Sequence, residues 1–250
     1  MPGSLHFLAA EVDTARYSNH DRGEHGRRQC RPNLLRLPDS NLRRAMTYVF
    51  AIHIPIAGLS LLPVLMGLPL ILLPLHIVFL ELVIDPACST AFESELPHPR
   101  TMRRPPRDPR SRLFDRELIS TAVLHGAALL AAAAAAFLFS FGSGQGEREA
   151  RAMSFTTLIL GNVALIWASR SRTRTIPQML FLPNGPLWAV TLGALALLGV
   201  VLYFPPAQHL FQFALLHLRD LAVCGGLALL SVTGIEARKL LRWEGAGRSA

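Results

Sequence analysis

The chain alternates between long apolar stretches and shorter polar connections. Six of the stretches are long enough, as α-helices, to cross the ~30 Å hydrocarbon core of a bilayer. They lie at about 45–66, 70–89, 117–141, 153–169, 186–204 and 219–236. The pattern therefore predicts an all-α, polytopic membrane bundle of six transmembrane helices.

The sequence divides into three parts. Residues 1–40 are polar and rich in Arg and His, so we expect them to be disordered or poorly packed. Residues 41–242 form the predicted membrane domain, and residues 243–250 a cytoplasmic tail. Within the domain, Gly67-Leu68-Pro69 predicts a tight helical hairpin, and the amphipathic stretch 205–213 is typical of a segment lying along the membrane interface.

The distribution of positive charge predicts the orientation of the helices in the membrane. The net charge of +8 comes almost wholly from arginine, which is concentrated in alternate connections rather than on one soluble face. Basic residues favour the cytoplasmic side, so both termini are expected there, in a bacterial-type plasma membrane. This distribution indicates the lipid bilayer as a partner and argues against nucleic acid. Cysteines at 30, 88 and 224 have no metal-ligand spacing, and no cleaved signal peptide is expected.

Two acids within the second apolar stretch are the main candidates for chemistry. Glu81 and Asp85 are one helical turn apart and share a helix face, and Pro86 follows directly. Carboxylates at bilayer depth are costly unless they are paired or bind something, so we interpret both as ligands of a metal cation. Proline also predicts that the helix unwinds near Asp85 and frees carbonyl oxygens as further ligands. A purely structural acid pair is the alternative.

Several short motifs resemble a known family. Asn41-Leu42-Arg43-Arg44-Ala45, the Gly67-Leu68-Pro69 turn, Leu73-Pro74-Leu75-His76, Glu81-Leu82-Val83-Ile84-Asp85-Pro86 and Phe155-Thr156-Thr157-Leu158 follow one another in that order. Their order and spacing, together with the charges of the connections, resemble the carboxyl-terminal membrane half of P-type cation-transporting ATPases. The resemblance covers residues 41–242, the last six of that family's ten helices.

The resemblance implies particular site residues. Asp85 matches the acid at the unwound point of the family's sixth helix, and Glu81 the liganding position one turn earlier. His53 falls where the calcium pumps of the family place an amide, and Asn162 where they place an acid. Both are therefore cation-binding candidates, with helix packing as the alternative for His53 and interhelical hydrogen bonding for Asn162. Calcium specificity is not implied, because Ile56 and Ile84 stand where those pumps have oxygen ligands.

The function expected from the resemblance is cation binding and translocation. The sequence contains neither a phosphate-binding Gly-rich loop nor the family's Asp-Lys-Thr-Gly-Thr phosphorylation motif. We therefore expect no ATPase activity from this chain alone and no cofactor on it; ATP and Mg²⁺ would act through absent domains. A catalytic P-type ATPase half or a complete pump is the expected protein partner. A non-catalytic regulatory subunit, a passive channel or secondary transporter, and a non-functional truncated remnant stay open as alternatives.

Overall fold

The computed structural model describes residues 36–93, 115–169 and 184–247, and all regular structure in these ranges is helical. Seven helices are present there. They are α1 (Arg36–Met66), α2 (Pro74–Glu93), α3 (Arg116–Gly142), α4 (Glu147–Ser169), α5 (Gly185–Tyr203), α6 (Pro205–Phe211) and α7 (Leu218–Gly247). The prediction of an all-α fold is confirmed.

The helices agree with the predicted membrane spans. Five of them, α1, α3, α4, α5 and α7, are long and apolar enough to cross a membrane. The remaining predicted span corresponds to α2. Within the residues whose side chains the structure describes, the apolar part of α2 is shorter and runs from Pro74 to Val83. Several helices are longer than their apolar stretches; polar residues extend α1 back to Arg36, α4 back to Glu147 and α7 forward to Gly247. The proposed division at residues 40 and 243 stays a prediction, and residues 1–35 lie outside the described ranges.

The predicted unwinding near Asp85 and Pro86 is wrong for this structure. Helix α2 is continuous from Pro74 to Glu93. A proline removes one backbone hydrogen bond and crowds the preceding turn, but packing within a helical bundle can offset that cost. Helix α1 shows the same behaviour, since it contains Pro55 and Pro63 without ending at either. Proline alone was therefore insufficient evidence for a break.

Helix α4 is the centre of the bundle. It packs against α3 on one side and α7 on another, while α1 packs against α3, and α2 packs against α1 and α5. Nearly every side chain of α4 from Ala150 to Ala168 is buried, including several small or polar ones. Ser154, for example, donates its hydroxyl hydrogen to the Ala133 carbonyl at 2.9 Å. A helix surrounded by protein needs no lipid-facing side, which allows small and polar residues around most of its circumference.

A glycine allows the closest approach of α1 and α3. A Cβ placed on Gly126 would lie 2.5 Å from the Ala51 carbonyl oxygen and 2.7 Å from the Ile54 Cβ. Atoms do not approach that closely without a backbone shift, so only glycine fits this helix contact. Small residues at helix interfaces are typical of membrane proteins, where they let two backbones pack closely.

The two ends of the bundle are held differently. At one end, Asp115 caps the N-terminus of α3 by accepting from the Leu118 N–H at 2.8 Å, and it forms an ion pair with Arg43 of α1. The opposite end, here called the hairpin end, consists of the connections 67–73, 143–146 and 204–217. Part of the last connection enters the bundle: Phe211 and Phe213 are buried while Leu210 is exposed. The predicted interfacial segment therefore has one side in the protein core.

Candidate cation site

His53 of α1 and Glu81 of α2 face each other across the first helical hairpin. The distance from His53 Nε2 to Glu81 Oε1 is 3.6 Å, and the two side chains are 51% and 37% exposed. The other ring nitrogen, Nδ1, lies 2.7 Å from the Val49 carbonyl oxygen of the preceding turn. The tertiary structure thus brings together two of the four residues predicted from sequence.

The hydrogen bond to Val49 decides what His53 presents to Glu81. A carbonyl oxygen only accepts, so Nδ1 must carry the hydrogen. In a neutral imidazole this leaves the lone pair of Nε2 directed at a carboxylate oxygen, and two electron-rich atoms then face each other. A positive charge between them stabilises this arrangement, whether it is a second proton on the ring or a bound cation.

Asn162 is the third predicted residue, and it is buried in α4 with 5% of its surface exposed. Neither its Oδ1 nor its Nδ2 atom has a hydrogen-bond partner within the part of the chain that the structure describes. A buried amide without partners costs several kcal/mol by most measures, about 1–3 in protein substitution experiments. The predicted alternative, interhelical hydrogen bonding, is therefore not found among the described residues, and of the two amide atoms only Oδ1 is of a type that coordinates cations.

The direction in which Asn162 points follows from its neighbours. Seven residues earlier on α4, and so on the same helix face, Phe155 contacts His76 and Phe79 of α2, with ring centroids 5.2 and 5.7 Å apart. Asn162 therefore lies on the side of α4 that faces α2. This is the helix that carries Glu81.

Asp85 lies on α2 one turn beyond Glu81, but its side chain falls outside the residues whose side chains are described. The role of Asp85 as a metal ligand therefore stays a prediction. Ile56, which stands where the calcium pumps have an oxygen ligand, is buried and apolar. Within the described ranges no three His, Cys, Asp or Glu side chains cluster closely enough to hold a metal. A complete coordination shell would thus need carbonyl or amide oxygens, or Asp85.

Two functional candidates escaped the sequence analysis. Arg151 precedes the predicted apolar stretch 153–169, yet it lies within α4 with a side chain only 4% exposed. His76, named above only as part of a motif, is fully buried and hydrogen-bonded through both ring nitrogens. The position of Arg151 directly before an apolar stretch gave no signal of burial, because arginine at that position usually extends to the membrane surface.

Comparison with known proteins places the chain in a family. The model of the cation-transporting ATPase C-terminus matches residues 69–241. A calcium-transporting ATPase of Bacillus subtilis is 28% identical over 176 residues, which cover 69% of this chain and 19% of that protein. One from Listeria monocytogenes is 27% identical over 211 residues, covering 81% and 23%. Human calcium-transporting ATPase type 2C member 1 is 24% identical over 180 residues, covering 71% and 20%.

The chain spans about a fifth of the length of these curated relatives. The family match begins at residue 69 and so includes α2, the helix that carries Glu81. Since the family match covers more than half of the chain, the protein belongs to the cation-transporting ATPase C-terminus family and is the C-terminal membrane domain of a P-type cation ATPase.

Proposed function

We propose that this chain is the membrane-embedded cation-binding module of a P-type cation-transporting ATPase. The observation that carries the proposal is the His53–Glu81 pair, in which an imidazole nitrogen and a carboxylate oxygen from two helices face each other at 3.6 Å. Asn162 contributes a buried amide from a third helix, and Asp85 a second carboxylate one turn from Glu81. Together these four residues hold the transported cation.

The exposure of the pair supports a role within a larger assembly. A His–Glu pair that is about half exposed on the outside of a helical bundle would face lipid in an isolated domain, where polar side chains are costly. Exposed apolar residues surround it, including Leu82 and Val78 of α2. A catalytic ATPase half that contributes further helices would cover this face. It would also supply the ATP and Mg²⁺ chemistry.

The proposed orientation follows the positive charges. Both termini lie in the cytoplasm, and the hairpin end, with its connections 67–73, 143–146 and 204–217, faces the opposite side of a bacterial-type plasma membrane. The cation is then bound between α1, α2 and α4. Conformational change in the catalytic half would alter its access to the two sides.

Cation binding by the full chain in lipid nanodiscs tests the proposal. Radioactive Ca²⁺ and Mn²⁺ serve as separate probes, because one is a hard oxygen-seeking ion and the other accepts imidazole as well. Glu81→Gln keeps the shape of the side chain and removes its charge, so we expect affinity for the bound ion to fall by at least about tenfold, since the carboxylate is the strongest ligand type present. Glu117→Gln, on the exposed start of α3, is the matched control.

A second test uses the complete pump. If a catalytic half is co-reconstituted with this chain, Asp85→Asn should abolish ion-stimulated phosphorylation of that half. Equal binding in the natural chain, Glu81→Gln and Asp85→Asn, together with unaltered phosphorylation, would reject the site. Ion flux into liposomes that contain this chain alone, without ATP, would instead indicate a passive channel.

A further inference from the structure

An aromatic cluster fills the space between α2 and α4 at the hairpin end. His76 lies 5.5 Å from Phe211 and 4.8 Å from Phe213, measured between ring centroids. Phe155 of α4 lies 5.2 Å from Phe213, and Phe79 of α2 lies 5.4 Å from Phe211. Phe211 and Phe213 belong to neither helix; they come from the connection between α5 and α7. The residues 211–213 are called the plug below.

His76 holds the plug through a backbone carbonyl. Its Nδ1 atom accepts a hydrogen bond from the Leu73 N–H at 3.1 Å, so the ring hydrogen is on Nε2. That Nε2–H donates to the Phe211 carbonyl oxygen at 2.8 Å. A neutral imidazole with one donor and one acceptor satisfies both partners, which makes this fully buried histidine a fixed link between α2 and the plug.

Arg151 holds the plug from the other side. Its Nη1 atom lies 3.3 Å from the Gln212 carbonyl oxygen and 3.4 Å from the Gln212 Oε1, and its Nε donates to the Leu70 carbonyl at 3.1 Å. The charge is balanced by Glu147, whose Oε1 accepts from Nη2 at 2.5 Å. One buried guanidinium thus connects α4, the α1–α2 connection and the plug. A buried arginine with these bonds is stabilising only while the bonds are intact.

The backbone of the plug continues from the end of α6, and the Gln212 N–H donates to the His209 carbonyl of that helix at 3.3 Å. Gln212 adopts a left-handed conformation with φ of 52°, which is unfavourable for a side chain other than glycine. Residues 213–217 have no regular secondary structure, and the Phe213 N–H donates back to the Gln208 carbonyl of α6 at 2.9 Å. The plug is therefore a short strap that begins at the last residue of α6 and leads toward α7. It is held in the bundle by its two rings and by His76 and Arg151.

The plug lies between the hairpin end and Asn162, the buried member of the candidate cation site. Phe213 contacts Phe155 of α4, with ring centroids 5.2 Å apart. Asn162 is seven residues beyond Phe155 on the same face of α4, or about 10 Å along the helix axis. An ion moving between Asn162 and the hairpin end along the α2–α4 interface would meet these rings first.

We propose that residues 211–213 form a removable plug that closes the α2–α4 interface at the hairpin end, and that His76 and Arg151 are the positioning residues that keep it closed. The role as an ion gate rests on the proposed function. The closure itself does not, because it is a property of the chain that is measurable without any transported ion.

Thiol accessibility of the natural-length chain in nanodiscs tests the plug. Ile159, buried on α4 between Phe155 and Asn162, is replaced by cysteine in a chain whose three native cysteines are alanine. A charged, water-soluble methanethiosulfonate reagent reports whether water reaches position 159. We expect slow labelling with the plug intact. Arg151→Met should increase the rate by about tenfold or more, because a hydrogen-bonded buried charge has been removed.

The controls separate plug opening from unfolding. Arg148→Met removes an exposed arginine from the same turn of α4 and should leave labelling slow. A cysteine at Ala136, fully buried on α3, should stay protected in every variant. His76→Leu is a second way to release the plug, which breaks the bond to Phe211 without removing a charge.

Faster labelling at position 159 in Arg151→Met and His76→Leu, with position 136 protected, supports the plug. Unchanged labelling at 159 in both variants overturns it. Equal gains at 159 and 136 in both variants also overturn it, since the whole bundle would then have opened rather than one strap. Ion binding by Glu81 is measured separately, so either proposal can fail while the other holds.

Discussion

The contact between Gly126 and α1 offers a quantitative test of the packing. In Gly126→Ala the new Cβ would lie 2.5 Å from the Ala51 carbonyl oxygen and 2.7 Å from the Ile54 Cβ. One of these obstacles is backbone, which cannot rotate away as the tip of a side chain does. Helix α1 must therefore move away from α3, and the contacts between the two helices loosen.

The expected cost follows from two opposing effects. Overpacking a closely packed interface costs about 1–3 kcal/mol, and two contacts under 3 Å point to the upper half of that range. Replacing glycine by alanine within a helix returns about 1 kcal/mol through lower backbone entropy. We therefore expect Gly126→Ala to lower the free energy of unfolding by about 1–2 kcal/mol.

Unfolding by sodium dodecyl sulfate in mixed micelles, followed by tryptophan fluorescence, measures this change. Gly193→Ala on α5 is the matched control, because nothing lies within 4 Å of its Cβ position, and it should be neutral or slightly stabilising. Gly58→Ala should fall between the two, since its Cβ meets only the Leu130 side chain. If Gly126→Ala proved as stable as Gly193→Ala, the close approach of α1 and α3 would be refuted.

Three further substitutions test individual interactions. Asn162→Leu removes two unpartnered polar atoms and should raise the free energy of unfolding by about 1 kcal/mol or more while weakening cation binding. Asp115→Ala removes the acceptor of the Leu118 N–H and should destabilise the chain by about 1 kcal/mol, as loss of a helix N-cap does. Trp167→Phe breaks the 3.0 Å bond to the Thr191 hydroxyl and should cost about 1 kcal/mol by the same unfolding measurement.

Each of these predictions has a control variant or an outcome that would contradict it. A stability loss in Asn162→Leu would show that its amide has a structural partner, contrary to the orphaned geometry. Ser120→Ala, in the exposed first turn of α3, should change stability little, so an effect equal to that of Asp115→Ala would argue against capping. For the tryptophan, Thr191→Val should cause a similar loss, and the double variant should add little to either.

Much of the architecture was predictable because it depends on local properties. Hydropathy over about 20 residues is enough to locate membrane spans. The few residues around Gly67 that separate the first two apolar stretches indicated a helical hairpin. The one-turn spacing of Glu81 and Asp85 predicts, without any tertiary information, that both share one face of α2. The predicted break in α2 was wrong, because the local effect of a proline competes with tertiary packing, which cannot be inferred from the local sequence.

The side-chain environments depended on how each helix is rotated about its axis and on which neighbour it meets. That rotation depends on contacts between residues far apart in sequence, such as Gly126 with Ala51. The hydropathy pattern does not indicate which residues make such contacts. Only the tertiary structure therefore showed that His53 faces Glu81, that Asn162 is buried without partners and that Arg151 lies inside the bundle. The sequence by itself determined the spans and the acids within them, whereas packing decided which polar groups meet.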